Sequence, residues 1–144
     1  MSKIEILKPF KVALISFLDE LIAQFPDNGD LVIFRIYIKD QAPIDDVMQY
    51  FTMKILPLKQ MVNERNEDFF LNHCTLLDNV RDVEKKGKIN RFKKLWRSPL
   101  LDEDDKRVVW EWFDSFIVLA EKYQKIVIEN TQKSNEKSNE KSNE

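Results

Sequence analysis

The chain has 144 residues with two glycines and five prolines, too few turn formers for the many tight reversals of an all-β fold. Its formal charge of −2 gives no whole-molecule field that would draw in nucleic acid or an acidic membrane, so any such binding has to come from a local patch. Cys74 is the sole cysteine, which excludes an internal disulfide framework and fits a reducing compartment.

In chain order, the first element is an amphipathic helix expected from Pro9 to Phe25. Phe10, Leu14, Phe17, Leu18, Leu21, Ile22 and Phe25 fall within an arc of about 140° at 100° per residue. Pro9 suits the first helical position, where its missing N–H has no partner anyway. Pro26-Asp-Asn-Gly29 reads as a stop and a turn. The next run, Leu31 to Ile38, is β-branched and aromatic, and propensity alone makes it a strand. It reads instead as a helix, because a strand needs a partner and no second convincing strand exists. Asp30 is the expected N-cap, and apolar character nearly all round predicts a buried helix.

Pro43 opens a third helix whose apolar ladder is Ile44, Val47, Met48, Phe51, Ile55, Leu58 and Val62. Pro57 removes one backbone bond and crowds the carbonyl of Met53, which predicts a kink or break between Met53 and Leu58. A short helix over Glu67 to Leu77 and a charged loop containing Gly87 follow. A basic helix from Ile89 to Arg97 comes next, ended by Ser98-Pro99. Asp102 then caps a long helix from about Asp102 to Glu129, with Glu103, Asp104 and Asp105 in its first turn, where the helix dipole favours negative charge. Its inner face is expected to be Val109, Trp112, Phe113, Phe116, Ile117, Ala120, Tyr123 and Val127. Glu103 with Arg107 and Glu121 with Lys125 are expected as i,i+4 pairs.

The last residues, Lys133 to Glu144, are three copies of Lys-Ser-Asn-Glu. With no apolar side chain to offset the entropy of ordering, they read as a disordered tail. The expected architecture is therefore all-α: residues 1–132 form one compact orthogonal bundle of five to six helices with a long C-terminal helix, and residues 133–144 form the tail. No apolar run approaches the ~20 residues of a membrane span, and the N-terminus lacks the apolar segment of a secretion signal. The expected location is intracellular, with no membrane partner.

No pattern for bond-making chemistry emerges. His73 and Cys74 are adjacent, and neighbours on a helix point about 100° apart, so they do not form an ordinary Cys–His nucleophile pair. Two such residues are too few for a structural zinc site. Gly29 and Gly87 are isolated, which leaves no phosphate loop, and the acidic run at Asp102 is explained by helix capping rather than by a metal. The expectation is a protein that is not an enzyme, with no cofactor, no metal and no evident small-molecule substrate.

The local anomaly is basic. From Arg81 to Arg97 the chain carries a net +6, and Lys85, Lys86, Lys88, Arg91, Lys93, Lys94 and Arg97 form a candidate binding patch. Three readings stay open: a solvated helix face, a patch for an acidic protein, and a surface that follows phosphates. Phe92 and Trp96, interleaved with the cations, fit either the core or such a surface. Trp96, Trp110 and Phe69 are the candidate aromatic contacts. Trp110 sits about 100° from the centre of the long helix's inner face, and the Phe69-Phe70 pair can turn one ring inward and one outward. The leading expectation is a domain that binds another protein; a nucleic-acid role through the basic helix is the alternative.

Several segments together resemble a known group: Phe17-Leu-Asp-Glu-Leu-Ile-Ala-Gln-Phe-Pro26, Ile55-Leu-Pro-Leu-Lys59, Arg65-Asn-Glu-Asp-Phe-Phe-Leu71, Phe92-Lys-Lys-Leu-Trp-Arg-Ser98, Leu101-Asp-Glu-Asp-Asp-Lys106 and Val109-Trp-Glu-Trp-Phe-Asp-Ser-Phe116. They are similar to an uncharacterised helical protein family carried by nucleocytoplasmic large DNA viruses of algae and protists, over about Phe10 to Tyr123. The resemblance carries over no catalytic residue. It implies a protein made in an infected cell, in the host cytoplasm or virus factory or packaged in the virion, with an assembly or host-factor role.

Overall fold

Helix formation starts earlier than Pro9 because the residues before it have something to bury. In the structure, a computed structural model that describes residues 2–76 and 91–142, with side chains described to Lys133, helix α1 runs Lys3–Gln24 and carries Pro9 inside it. Ile6 and Leu7 are buried, which anchors the added turn. The carbonyl that Pro9 leaves without a donor belongs to Glu5, an exposed residue where water can take its place. Phe10, Leu14, Phe17, Leu18, Leu21 and Phe25 are buried as their spacing requires, with Ile22 half-buried.

The Leu31–Ile38 run is helical. Helix α2 spans Gly29–Ile36 and widens into a π turn at Tyr37–Gln41, closed by Ala42 N–H donating to the Tyr37 carbonyl at 2.7 Å. Its cap is Asn28, whose Oδ1 accepts from Leu31 N–H at 3.3 Å; Asp30, the expected cap, lies in the first turn and pairs with Arg91 at 3.3 Å. The expectation of burial all round is also corrected. Leu31, Phe34 and Ile38 are buried, but Val32, Ile33, Ile36 and Tyr37 are exposed, so this helix packs on one side only.

Pro43 forces Ala42 into extended backbone and helix α3, Ile44–Tyr50, begins after it. The rod then changes pitch twice, to a wide π turn at Phe51–Ile55 and a tight 3₁₀ turn at Leu56–Leu58, before helix α4 at Lys59–Asn63. This is the irregularity expected at Pro57, resolved as a change of width instead of a break. Phe51, Ile55, Leu58 and Val62 all stay buried.

Helix α5, Glu67–His73, is capped by Asn66, whose Oδ1 accepts from Phe69 N–H at 3.2 Å; it ends earlier than Leu77. Helix α6 is Arg91–Trp96. Helix α7 is Glu103–Ser142, opened by a reciprocal cap in which Asp105 N–H donates to Asp102 Oδ1 at 2.8 Å and Asp102 N–H to Asp105 Oδ2 at 3.1 Å. With the bent Ile44–Asn63 rod taken as one, the described residues form six helices and no strand.

Helix α7 is the spine. Its buried face is Val109, Trp110, Phe113, Phe116, Ile117, Ala120, Tyr123 and Ile126; it keeps six of the expected residues and adds Trp110 and Ile126, while Trp112 and Val127 are only half-buried. Aromatic rings tie the other elements to it mostly edge to face: Phe10 to Phe116 at 6.1 Å, Phe51 to Phe116 at 5.5 Å, Phe70 to Phe113 at 5.0 Å and Trp96 to Trp110 at 5.0 Å between centroids. Such pairs contribute about 0.5–1.5 kcal/mol each beyond area burial. From Ile128 to Lys133 every side chain is exposed, so over these residues α7 runs past the packed core.

Candidate functional site

Of the basic patch, Lys85, Lys86 and Lys88 lie outside the described residues. Arg91 faces Asp30 of α2 and Lys93 donates to Asn72 Oδ1 at 2.7 Å, while Lys94 and Arg97 are exposed. The acidic first turn of α7 pairs within its own helix, Glu103 with Lys106 at 3.5 Å and Asp104 with Arg107 at 3.7 Å. These are i,i+3 contacts in place of the expected Glu103–Arg107 pair. Glu121 likewise reaches across to Lys59 at 2.9 Å rather than to Lys125. For Glu121 the partner is the one that tertiary packing brings close, which spacing along one helix cannot show.

Two of the three aromatic candidates are internal. Trp96 is 1% exposed and Trp110 is 7% exposed. The latter is enclosed because α5 and α6 cover that flank of α7: its ring lies 5.1 Å from Phe70 and 5.0 Å from Trp96. Phe69 is exposed and Phe70 buried, the one-in, one-out arrangement expected of the pair. The Phe69 ring stacks on His73 at 4.1 Å, and His73 Nδ1 is 2.8 Å from the Phe69 carbonyl. Cys74, next to it, is fully buried, so the two residues share no surface. Among the described residues no three His, Cys, Asp or Glu side chains converge as a metal site, and none of the helices is long and apolar enough to cross a membrane.

A polar cluster that sequence reasoning missed surrounds Arg65. Arg65 follows α4 with φ of 53°, and Arg65 N–H to the Val62 carbonyl together with Asn66 N–H to the Met61 carbonyl make a Schellman ending in which arginine stands where glycine is usual. The guanidinium donates twice to Asp114, at 2.8 Å each, and once to the Val62 carbonyl at 2.9 Å. It also lies 5.5 Å over the Trp110 ring. The hydrogen bond to Asp114 is the main cause that raises its pKa further above the ordinary arginine value. Lys59, Arg65, Asp114 and Glu121 thus line a surface cleft in which the four charges satisfy one another. The chemistry of that cleft is fastening: it holds the α4–α5 turn against α7.

Two apolar surfaces remain. Between α1 and α7 a groove of about 350 Å³ is lined by Phe17, Leu21, Leu101, Val109 and Trp112, with Glu20 and Asp105 among its polar residues. Trp112 Nε1 donates to Glu20 at 2.6 Å within it. The second surface is the outer face of α2, where Val32 is 39%, Ile33 41%, Ile36 44% and Tyr37 47% exposed. Tyr37 stacks on Phe34 at 6.5 Å, beside a hollow of about 140 Å³ shared with Ile38, Val47 and Tyr50. The signal for this face is present in the sequence as a helix apolar on more than one side, a pattern that predicts burial because solvent-facing isoleucine is the less common outcome. No family model, curated protein or solved structure matches this chain.

Proposed function

We propose that the chain is a non-enzymatic interaction module that binds another protein through the outer face of α2. The observation that carries this reading is the run of four exposed, contiguous apolar side chains, Val32, Ile33, Ile36 and Tyr37. They form a strip on the order of 300 Å² on one short helix, a size at which surface patches are often functional. Burying it in a partner is favoured at roughly 25 cal/mol per Å² before the costs of association. In the setting that the viral resemblance implies, the partner is a component of the particle or a host factor. The test is capture with tagged protein at native abundance, comparing the natural chain with the Ile33→Asp/Ile36→Asp double variant. A stoichiometric partner held by the first and lost by the second is expected. A partner retained equally by both removes α2 from the reading.

A nucleic-acid role is the second reading, favoured by the exposed Phe69–His73 stack on the helix whose Asn72 accepts from Lys93, with Lys94 and Arg97 exposed on α6. Single strands are held by such pairings of stacking rings and cations. Binding should weaken steeply with salt and drop further in Lys94→Glu/Arg97→Glu. Absence of binding at low salt ends this reading.

A further inference from the structure

The small hollow between α2 and α3 combines four aromatic rings with one carboxylate. We propose that it binds a methylated ammonium head group, the chemistry shared by choline and a methylated lysine side chain. The site is separate from the partner contact proposed for α2, since neither Ile33 nor Ile36 lines it.

Two elements build the hollow in the same way. Phe34 and Tyr37 come from α2 and the π turn that ends it, and Tyr50 and Phe51 from α3 and the π turn that follows it. A π turn takes in one residue more than an α-helical turn and widens the rod; such turns are rare and recur at functional sites. Here both open beside one space of about 140 Å³. On the first side the Phe34 and Tyr37 rings lie 6.5 Å apart at an interplanar angle of 25°, and on the second the Tyr50 and Phe51 rings lie 6.1 Å apart at 74°. The walls therefore present rings in more than one orientation. The Tyr50 hydroxyl is bonded to that of Thr75, which fixes its ring in place.

Asp46 supplies the charge. It is exposed at the rim and is the one ionised side chain among the described residues that line the hollow. Its neighbour Asp45 accepts a hydrogen bond from Tyr123, whereas the Asp46 carboxylate forms no ion pair among the described residues.

The class of occupant follows from what this lining rejects. An anion would meet the carboxylate and the negative faces of the rings. A neutral apolar group would strip water from Asp46 and give nothing back. A primary ammonium brings three N–H donors to a lining that is mostly aromatic and aliphatic. A quaternary ammonium carries the charge with no N–H to satisfy, sets methyl groups against apolar walls, and is attracted by ring faces and carboxylate alike. The space is smaller than the roughly 300–1,000 Å³ of a site for a whole drug-sized ligand. It therefore takes the head group and leaves the rest of the ligand outside.

The test follows the amide NMR spectrum of the full chain while choline and Nε-trimethyllysine are titrated in separately. Shifts centred on Tyr37, Asp46, Tyr50 and Phe51 are expected, with a dissociation constant on the order of 1 mM for these small probes. Binding of either supports the site, and the tighter of the two identifies the natural carrier. The uncharged isostere of choline, with carbon in place of nitrogen, should bind about tenfold more weakly. Asp46→Asn and Tyr37→Ala should each weaken choline about five- to tenfold, while Tyr37→Phe, which keeps the ring, should bind it as the natural chain does. Asp46 and Tyr37 are both exposed, so unchanged helicity by circular dichroism is the folding control. Ile33→Asp/Ile36→Asp should leave head-group binding intact, so this site and the α2 contact stand or fall separately. No shift at the hollow with either probe, an isostere that binds as tightly as choline, or an Asp46→Asn chain that binds choline undiminished would each overturn the inference.

Discussion

Arg65 occupies left-handed backbone, which costs a residue with a Cβ roughly 1–2 kcal/mol. It is held there by its side chain: two bonds to Asp114, one to a carbonyl of the helix it terminates, and a tryptophan face beneath. Two substitutions separate these effects. Arg65→Ala keeps the strain and loses the fastening, and should cost about 1–2 kcal/mol, the pair being partly solvent-screened. Arg65→Gly loses the same contacts but relaxes the backbone, and should come out about 1 kcal/mol more stable than Arg65→Ala in urea melts. Nothing in the sequence signals this position, because an arginine after a helix is ordinary and only the carbonyl geometry around it shows that it does a glycine's job. Tyr123 is a second case. Burial, then its hydrogen bond to Asp45, pushes its hydroxyl up to about 12 from 10. The folded chain therefore keeps this proton where the unfolded chain has lost it. The stability it contributes is complete below pH 10 and declines as pH rises from about 10 through 12. Tyr123→Phe should flatten that part of a stability–pH curve, followed by denaturant melts at fixed pH.

At the scale of the element, periodicity identified helices well and their partners poorly. The Leu31–Ile38 helix could be read against its β propensity because backbone bonding is an accounting requirement and no partner strand was available. Which of its faces met the core could not, because that depends on where α1 lies. The same limit misplaced Trp110. The expected inner face of α7 includes Trp112 and leaves out Trp110, at the edge of that face, which is buried because α5 and α6 cover its flank. The start of α7 was legible to the residue, since Asp102 with Asp105 three positions on is a local pattern with a local cause. Asp102→Ala removes the side-chain acceptor of that cap and should lower unfolding free energy by about 1 kcal/mol, seen as a lower thermal midpoint at unchanged helicity. Pro57 was legible as an irregularity, though its form was not. By changing from a wide turn to a tight one, the rod keeps Phe51, Ile55, Leu58 and Val62 all directed inward.

Across the whole molecule, rings from α1, the α3–α4 rod, α5 and α6 converge on those of α7. Displacing any one of these helices strips the edge from a ring held by another, so the unit should unfold in one step. Far-ultraviolet and near-ultraviolet circular dichroism should give coincident melting curves, and Phe116→Ala, at the junction of Phe10, Phe17 and Phe51, should cost about 3–5 kcal/mol. Deleting everything after Lys133 should leave the melting midpoint within error, because the side chains from Ile128 to Lys133 are already exposed. Along α2, Leu31, Phe34 and Ile38 are locked by that core while Val32, Ile33, Ile36 and Tyr37 are not. Two kinds of mutational tolerance are thereby interleaved residue by residue on a single helix: a descendant of this chain can change what it associates with, one position at a time, while the scaffold that displays the change goes on folding as before.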